Sequence, residues 1–205
     1  MFGGTVLTVL YVLIVISPLL LVTVLRIHSP NLLVYEIARS FGLSGFAILM
    51  MQPVLTARIG WIERYFGRAA LTRFHKSIGI FVTIMMASHP ILLELGGGQV
   101  LAFTQPWYIW VGRAGLVLLI ILTLIGVYWK ELGLTFNRWR QTHYLLAPII
   151  IVLVFVHSLE TGDDLKLQSM QGLWVILLSA AYAAYFYRRL VFESRGHHSA
   201  PRTVT

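Results

Sequence analysis

The chain has 205 residues, of which 58% are hydrophobic and 12% are charged, with a net charge of +8. An ordinary soluble domain has about 25% charged residues, so this chain has too few polar side chains to cover its surface in water, and lipid is the expected solvent. The positive charge does not indicate nucleic-acid binding, because the basic residues lie in short loops between apolar runs. The sequence has no cysteine, which excludes disulfides, iron–sulfur clusters and covalently attached haem.

Six apolar segments follow one another along the chain, and each is long enough to cross the hydrocarbon layer as a helix of about 20 residues. Their expected bounds are 5–26, 33–57, 74–95, 107–129, 142–159 and 168–190. The first is too long for the apolar part of a signal peptide and has no cleavage site, so it is expected to be retained. The sequence therefore predicts an all-α integral membrane protein, a six-helix bundle over residues 1–192 with a polar tail over 193–205.

The basic residues collect at one end of this predicted bundle, which sets its orientation. Twelve of the sixteen Lys and Arg residues lie in the second loop, in the fourth loop and toward the C-terminus: Arg58, Arg64, Arg68, Arg73, Lys76, Lys130, Arg138, Arg140, Arg188, Arg189, Arg195 and Arg202. The opposite loops carry acids: Glu94, Glu160, Asp163 and Asp164. Because basic loops stay in the cytoplasm, both termini are expected to be cytoplasmic, in a bacterial inner membrane or a plasma membrane.

Four of the seven histidines lie at or within two of the apolar segments, in pairs that are fourteen residues apart. His75 and His89 belong to the third segment, and His143 and His157 belong to the fifth. Fourteen residues of helix return a side chain to within about 40° of its starting direction and advance it by about 21 Å. Each of the two helices therefore presents one imidazole near each edge of the hydrocarbon layer.

The two histidine-bearing helices are expected to run in the same direction, which brings the four rings together at two levels. His75 is then level with His143 near the cytoplasmic side, and His89 is level with His157 near the other side. A single membrane histidine more often forms a helix–helix hydrogen bond, and a proton relay would require carboxylates beside the rings. Neither helix has a carboxylate in mid-membrane. Two imidazoles from facing helices are a ligand set of haem iron, so the pattern predicts two stacked bis-histidine haems that relay electrons.

Paired histidines on the third and fifth of six helices resemble the ferric reductase-like transmembrane domain. The resemblance also includes the basic approaches Arg68-Ala-Ala-Leu-Thr-Arg-Phe-His75 and Arg140-Gln-Thr-His143-Tyr. The superfamily contains ferric reductases, NADPH oxidases and the haem-binding membrane subunit of the bacterial methionine sulfoxide reductase system. The resemblance extends from the first helix to about Val191 and implies two haems b. It assigns His75 and His143 to the inner iron and His89 and His157 to the outer iron.

Two arginines extend the resemblance to the outer end of the bundle. Arg39, in Glu36-Ile-Ala-Arg39, resembles an arginine beside the outer haem of the NADPH oxidases, near the place where oxygen is reduced. It is expected to act catalytically there by holding a superoxide anion, or to pair with a haem propionate. The alternative is an ion pair with Glu36 one helical turn away. Arg113, near the outer end of the fourth segment, is a second candidate for binding a propionate.

The resemblance implies that the chain is the haem-containing membrane component of an oxidoreductase. Electrons would pass from a cytoplasmic flavin reductase to an extracytoplasmic acceptor, which is ferric iron, oxygen or a periplasmic protein. Relatives that reduce iron or oxygen carry FAD- and NAD(P)H-binding domains after the sixth helix, and no G-x-G-x-x-G follows a strand in these 205 residues. The tail is therefore expected to lead into such a domain, or a separate reductase docks on the basic face.

Two other functions remain as alternatives. In a quinol-linked di-haem cytochrome b subunit the ligands would come from the second and fourth helices, so this function ranks second. A non-redox membrane transporter, with histidines that serve packing or proton transfer, ranks third.

Overall fold

The computed structural model describes residues 2–25 and 33–196 of the chain, and every regular element in this part is helical. In chain order the helices are α1 (Phe2–Leu25), α2 (Leu33–Thr56), α3 (Gly60–Phe66), α4 (Arg68–Leu95), α5 (Trp107–Tyr128), α6 (Phe136–Thr161) and α7 (Gln168–Gly196), with a 3₁₀ turn at Asp163–Lys166. Six of them, all except α3, are long and apolar enough to cross a membrane. The prediction of an all-α integral membrane protein with six spans is confirmed. Residue 26 of the first predicted segment and residues 197–205 of the predicted tail lie outside the described residues.

Three helices extend further into polar sequence than hydropathy indicates. α4 begins at Arg68 rather than at residue 74, α6 begins at Phe136 rather than at residue 142, and α7 continues to Gly196. The side chain of Thr135 caps α6 by accepting a hydrogen bond from the backbone amide of Arg138 (3.3 Å). Hydropathy detects only the part of a helix that lies in hydrocarbon, whereas the backbone hydrogen bonds continue into the polar interface.

The short helix α3 was not predicted from the sequence. It lies between α2 and α4, at the end of the bundle that carries most of the basic side chains, the basic end. Its Trp61 and Tyr65 side chains are exposed, and Glu63 pairs with Arg68 (3.4 Å). Aromatic rings beside charged groups are typical of a membrane–water interface. A run this short cannot be told from a loop by its apolar periodicity.

The bundle is organised around α2, which contacts α1, α4, α6 and α7. The buried rings of Phe46 on α2 and Trp174 on α7 stack with their centroids 4.5 Å apart. The indole Nε1–H of Trp174 donates a hydrogen bond to the hydroxyl of Ser158 (2.9 Å), which satisfies a buried polar group and joins α7 to α6.

A proline in α6 makes a second link to α7. Pro148 has no amide hydrogen, so the carbonyl of Tyr144 lacks its usual partner within the helix. The hydroxyl of Tyr185 on α7 donates to this carbonyl (3.2 Å). In lipid such a freed backbone group has to find a partner inside the protein, and here the neighbouring helix supplies it.

The two histidine-bearing helices belong to different helix pairs. α4 packs mainly on α2, and α6 packs mainly on α5. Among the described residues, α4 and α6 themselves form no interface comparable with these two. At the basic end they face each other across an interhelical gap, where the rings of His75 and His143 meet.

Candidate functional site

The four histidines occupy the same places in α4 and α6. Counted from the first residue of each helix, His75 and His143 are eighth, and His89 and His157 are twenty-second. His75 meets His143, and His89 lies close enough to His157 to interact with it electrostatically. The helices are therefore parallel, and the rings form an inner pair at the basic end and an outer pair at the opposite end.

The inner pair borders a cavity of about 520 Å³ that extends from the basic end into the bundle. The ring centroids of His75 and His143 are 6.0 Å apart, and the ring planes are inclined at 76°. The Nδ1 atoms of both rings, and the Oε1 atom of the buried Gln52 on the same cavity, have no hydrogen-bond partner. The indole Nε1 atom of Trp139, on the same cavity, also has no partner. Buried polar atoms are rarely left unpaired, so four of them around one cavity indicate a site for a bound group.

The outer pair is held by backbone carbonyls of the neighbouring helices. The Nδ1–H group of His89 donates to the carbonyl of Ala38 on α2 (2.7 Å), and that of His157 donates to the carbonyl of Tyr108 on α5 (2.9 Å). Because a carbonyl oxygen only accepts, Nδ1 carries the hydrogen in both rings, and Nε2 keeps its lone pair for another partner.

Each level offers two imidazoles as metal ligands. Within the described ranges, 2–25 and 33–196, no cluster of three or more His, Asp or Glu side chains is placed to hold a metal ion. A metal ion between two imidazoles would need its other ligands from a bound cofactor or from water.

The cavity of the inner pair is lined by cations at its basic end: Arg58, Arg68, Lys76, Arg140 and Arg188. Arg188 on α7 lies over the ring of Tyr144 (5.1 Å) and interacts electrostatically with both His75 and His143. From the sequence, Arg188 was expected only to be one of the cytoplasmic charges. The spacing of Tyr185 and Arg188 could have indicated this role, because residues three apart lie on the same face of a helix. Both residues line the cavity. An apolar cavity with a cationic opening suits a flat apolar ligand with carboxylate groups.

Arg39 forms a network with two carboxylates at the outer end. It pairs with Glu36 one turn away (3.4 Å), as the alternative interpretation of the sequence expected, and also with Asp164 of the 3₁₀ turn, which the sequence did not predict. The side chains of Arg39 and Asp164 are 16% and 6% exposed, so this pair is largely shielded from solvent. The pair joins α2 to the α6–α7 connection. The catalytic and propionate roles of Arg39 stay predictions.

Arg113 holds the connection between α4 and α5. Its Nη2 atom donates to the carbonyls of Val100 (2.8 Å) and Ala102 (2.7 Å), and its guanidinium lies over the ring of Trp110 (4.4 Å). Backbone carbonyls carry no sequence signature, so this role was not predictable, and its expected contact with a propionate stays a prediction.

We expect Asp164→Asn to lower the stability of the protein by about 3 kcal/mol, because removal of one partner leaves the Arg39 charge buried without full compensation. Thermal unfolding in detergent measures this loss. Asp163→Asn is the matched control, since Asp163 is 84% exposed and its pair with Lys166 is open to solvent, so the variant should melt close to the wild type. Equal melting temperatures for the two variants would show that the buried pair does not stabilise the outer end.

Comparison with known proteins identifies the family. A family model described as a ferric reductase like transmembrane component matches residues 41–154, which is more than half of the chain. This range contains His75, His89 and His143, and His157 lies three residues beyond it. An uncharacterized protein of Archaeoglobus fulgidus is 26% identical over 161 residues, which cover 73% of this chain and 87% of the relative. No solved structure matches the chain significantly. On the strength of the family match over these residues, the chain belongs to the ferric reductase-like transmembrane family.

Proposed function

We propose that this chain carries electrons across a membrane through two non-covalently bound b-type haems. His75 and His143 hold the inner haem, and His89 and His157 hold the outer one. The observation that carries the proposal is the placement of two imidazole pairs at equal positions of two parallel helices that face each other across a gap. Membership of the ferric reductase-like family supports electron transfer as the activity.

The residues around the interhelical gap fit the proposed ligand. Two metal–imidazole bonds of about 2 Å each separate the ligand nitrogens by about 4 Å, and rings with centroids 6.0 Å apart leave room for one ion. At the outer level the carbonyls of Ala38 and Tyr108 fix the tautomer that leaves Nε2 free for iron. At the inner level the unpaired polar atoms border the cavity. Two imidazoles per level match a porphyrin that brings four ligands of its own.

When bound, haem held by two imidazoles would supply a one-electron couple and would leave no position at the iron for a substrate. The chain's own residues supply the surroundings. Apolar side chains of α2, α4, α5 and α6 line the depth of the cavity and keep water away from it. The cations at the opening, Arg188 among them, offset the negative charge of propionates. The protein therefore acts as a relay rather than as a site where a substrate is bound to metal.

At the outer level we assign propionate contacts to Arg39 and Arg113, and to Arg39 also a catalytic role toward an oxygen-derived anion. Support for Arg39 is its position next to Ala38, the residue whose carbonyl holds His89. Its charge is shared with Glu36 and Asp164, so it would contribute positive potential rather than a free cation. Support for Arg113 is its place one residue after Gly112, which lies against the His157 ring.

The direction of transfer follows from charge. If basic loops stay inside, the basic end faces the cytoplasm and the inner pair lies next to it, with both termini on that side. The donor is then a cytoplasmic flavin reductase, either a domain joined to the C-terminal end or a separate subunit, which uses FAD and NAD(P)H. The acceptor is extracytoplasmic and is ferric iron, oxygen or a periplasmic protein.

We expect the purified protein to contain two haems b per chain, both low-spin and both extractable with acid–acetone, because no cysteine is present to attach them. A pyridine haemochrome assay against protein mass measures the ratio. One haem per chain would contradict the two-level arrangement even in a red preparation. A colourless preparation from haem-replete cells would contradict the proposed function as a whole.

A further inference from the structure

Two glycines face the imidazoles of the outer pair. A Cβ atom placed on Gly42 of α2 would lie 2.9 Å from Cε1 of His89. A Cβ atom on Gly112 of α5 would overlap the His157 ring even more closely, at Nδ1. An imidazole held at one end by a carbonyl cannot turn away without losing that bond. Each ring therefore occupies space that only glycine leaves open.

Each of the two glycines lies at the same distance along its helix from the carbonyl that holds the imidazole. Gly42 is four residues after Ala38, and Gly112 is four residues after Tyr108. In a helix the amide of residue i+4 donates to the carbonyl of residue i. The carbonyl oxygen of Ala38 or Tyr108 thus accepts a helical hydrogen bond from the amide of the glycine. Because the glycine has no side chain, the imidazole can also reach this oxygen.

The inner pair has no such arrangement. Gly79 and Gly126 border the inner cavity, and a Cβ on either would meet only Gln52 or Trp139 at ordinary contact distance. The His75 ring interacts with the backbone of Gln52, but the Nδ1 atoms of His75 and His143 have no hydrogen-bond partner. The two pairs therefore share the same histidine spacing but differ in their neighbours. Only the rings of the outer pair lie against a glycine and donate from Nδ1 to a carbonyl.

We propose that Gly42 and Gly112 are positioning residues of the outer haem, which admit His89 and His157 to the carbonyls of Ala38 and Tyr108 and so lower the reduction potential of that haem. The inference rests on the proposed function. A hydrogen bond from Nδ1–H to a carbonyl makes the imidazole a stronger donor to a metal ion. A stronger donor stabilises ferric over ferrous iron, so loss of the bond raises the potential.

The test measures the potential and the low-temperature EPR signal of the outer haem in full-length Gly42→Ala and Gly112→Ala. The outer haem is the component that disappears in His89→Ala. In each glycine variant we expect the ratio of reduced to oxidised outer haem at a fixed ambient potential to rise about tenfold, equivalent to about 59 mV for one electron, with a changed EPR g value. The inner haem should keep its potential and its signal.

Gly45→Ala is the matched control, because Gly45 also lies on α2 against α4 but its added Cβ would meet the flexible side chain of Met86 rather than a ring. It should change neither haem. Loss of the outer haem alone in a glycine variant would also support the proposal, since the displaced ring cannot reach the iron. An unchanged outer potential, an equal shift in Gly45→Ala, or loss of both haems in both glycine variants would overturn it. A wild-type protein without haem would instead contradict the proposed function.

Discussion

Alanine at His75 or at His143 is expected to remove the inner haem and to leave the outer haem in place, so that either variant retains about half of the bound haem. The physical reason is that in the proposed arrangement each haem would be held by one imidazole from α4 and one from α6, so that loss of either would leave it held by one. His89→Ala and His157→Ala should remove the outer haem in the same way. Haem content and a redox titration of each purified variant measure the outcome.

The experiment tests most directly which histidines share a haem. His75→Ala and His143→Ala should leave the same redox component, and His89→Ala and His157→Ala should leave the other one. His197→Ala, in the polar C-terminal sequence, is a control that should retain both haems. If His75→Ala and His143→Ala removed different components, α4 and α6 would not share their ligands as proposed. If single variants kept full haem content, the histidines would not be the axial ligands.

Electrons are expected to enter only at the basic end of the bundle. The inner pair lies beside a cavity that reaches this end, whereas the rings of the outer pair are bonded to backbone carbonyls of α2 and α5 at the opposite end. In sealed vesicles of known orientation, a reduced flavin donor should reduce an impermeant acceptor across the membrane when the donor is on the side of α3. With the donor on the other side, the rate should fall to the passive leak.

His89→Ala gives the largest expected effect in that assay, because removal of the outer haem interrupts the path and should abolish transmembrane transfer while the inner haem remains reducible. Transfer that survives this substitution would exclude the outer haem from the path.

Raised salt should slow the entry of electrons from an acidic reductase. Exposed cations at the basic end would attract an acidic partner, and salt screens this attraction. These cations are Arg64, Arg68, Arg138 and Arg140. A rate that does not respond to salt would show that docking does not depend on these charges.

The six membrane-spanning helices and the two levels of histidines were predictable from hydropathy and residue spacing. Six apolar runs with charged loops predicted six spans, since lipid permits little except helices for such sequence. The spacing of fourteen residues between His75 and His89, repeated at His143 and His157, predicted that each helix would carry two rings at two depths. The repeat arises from helix geometry, so no tertiary information was required.

The surroundings of the rings were not predictable from the sequence. Ala38 and Tyr108 contribute backbone carbonyls, and any residue type has the same carbonyl. Gly42 acts through the absence of a side chain, and this has meaning only once the position of the His89 ring is known. Asp164 could be placed in an outer loop, but its pairing with Arg39 joins residues that are 125 positions apart in the chain.

The gap between α4 and α6 has a consequence for the assembly of the protein in the cell. If the chain binds haem as proposed, a newly inserted chain without haem would leave the Nδ1 atoms of His75 and His143 without a partner at the inner cavity. Unpaired polar groups are costly in lipid, and a ligand that binds only the closed bundle shifts the equilibrium toward it. Under this proposal the cofactor would therefore stabilise the closed bundle, and the haem-free chain should be the less stable form in the membrane.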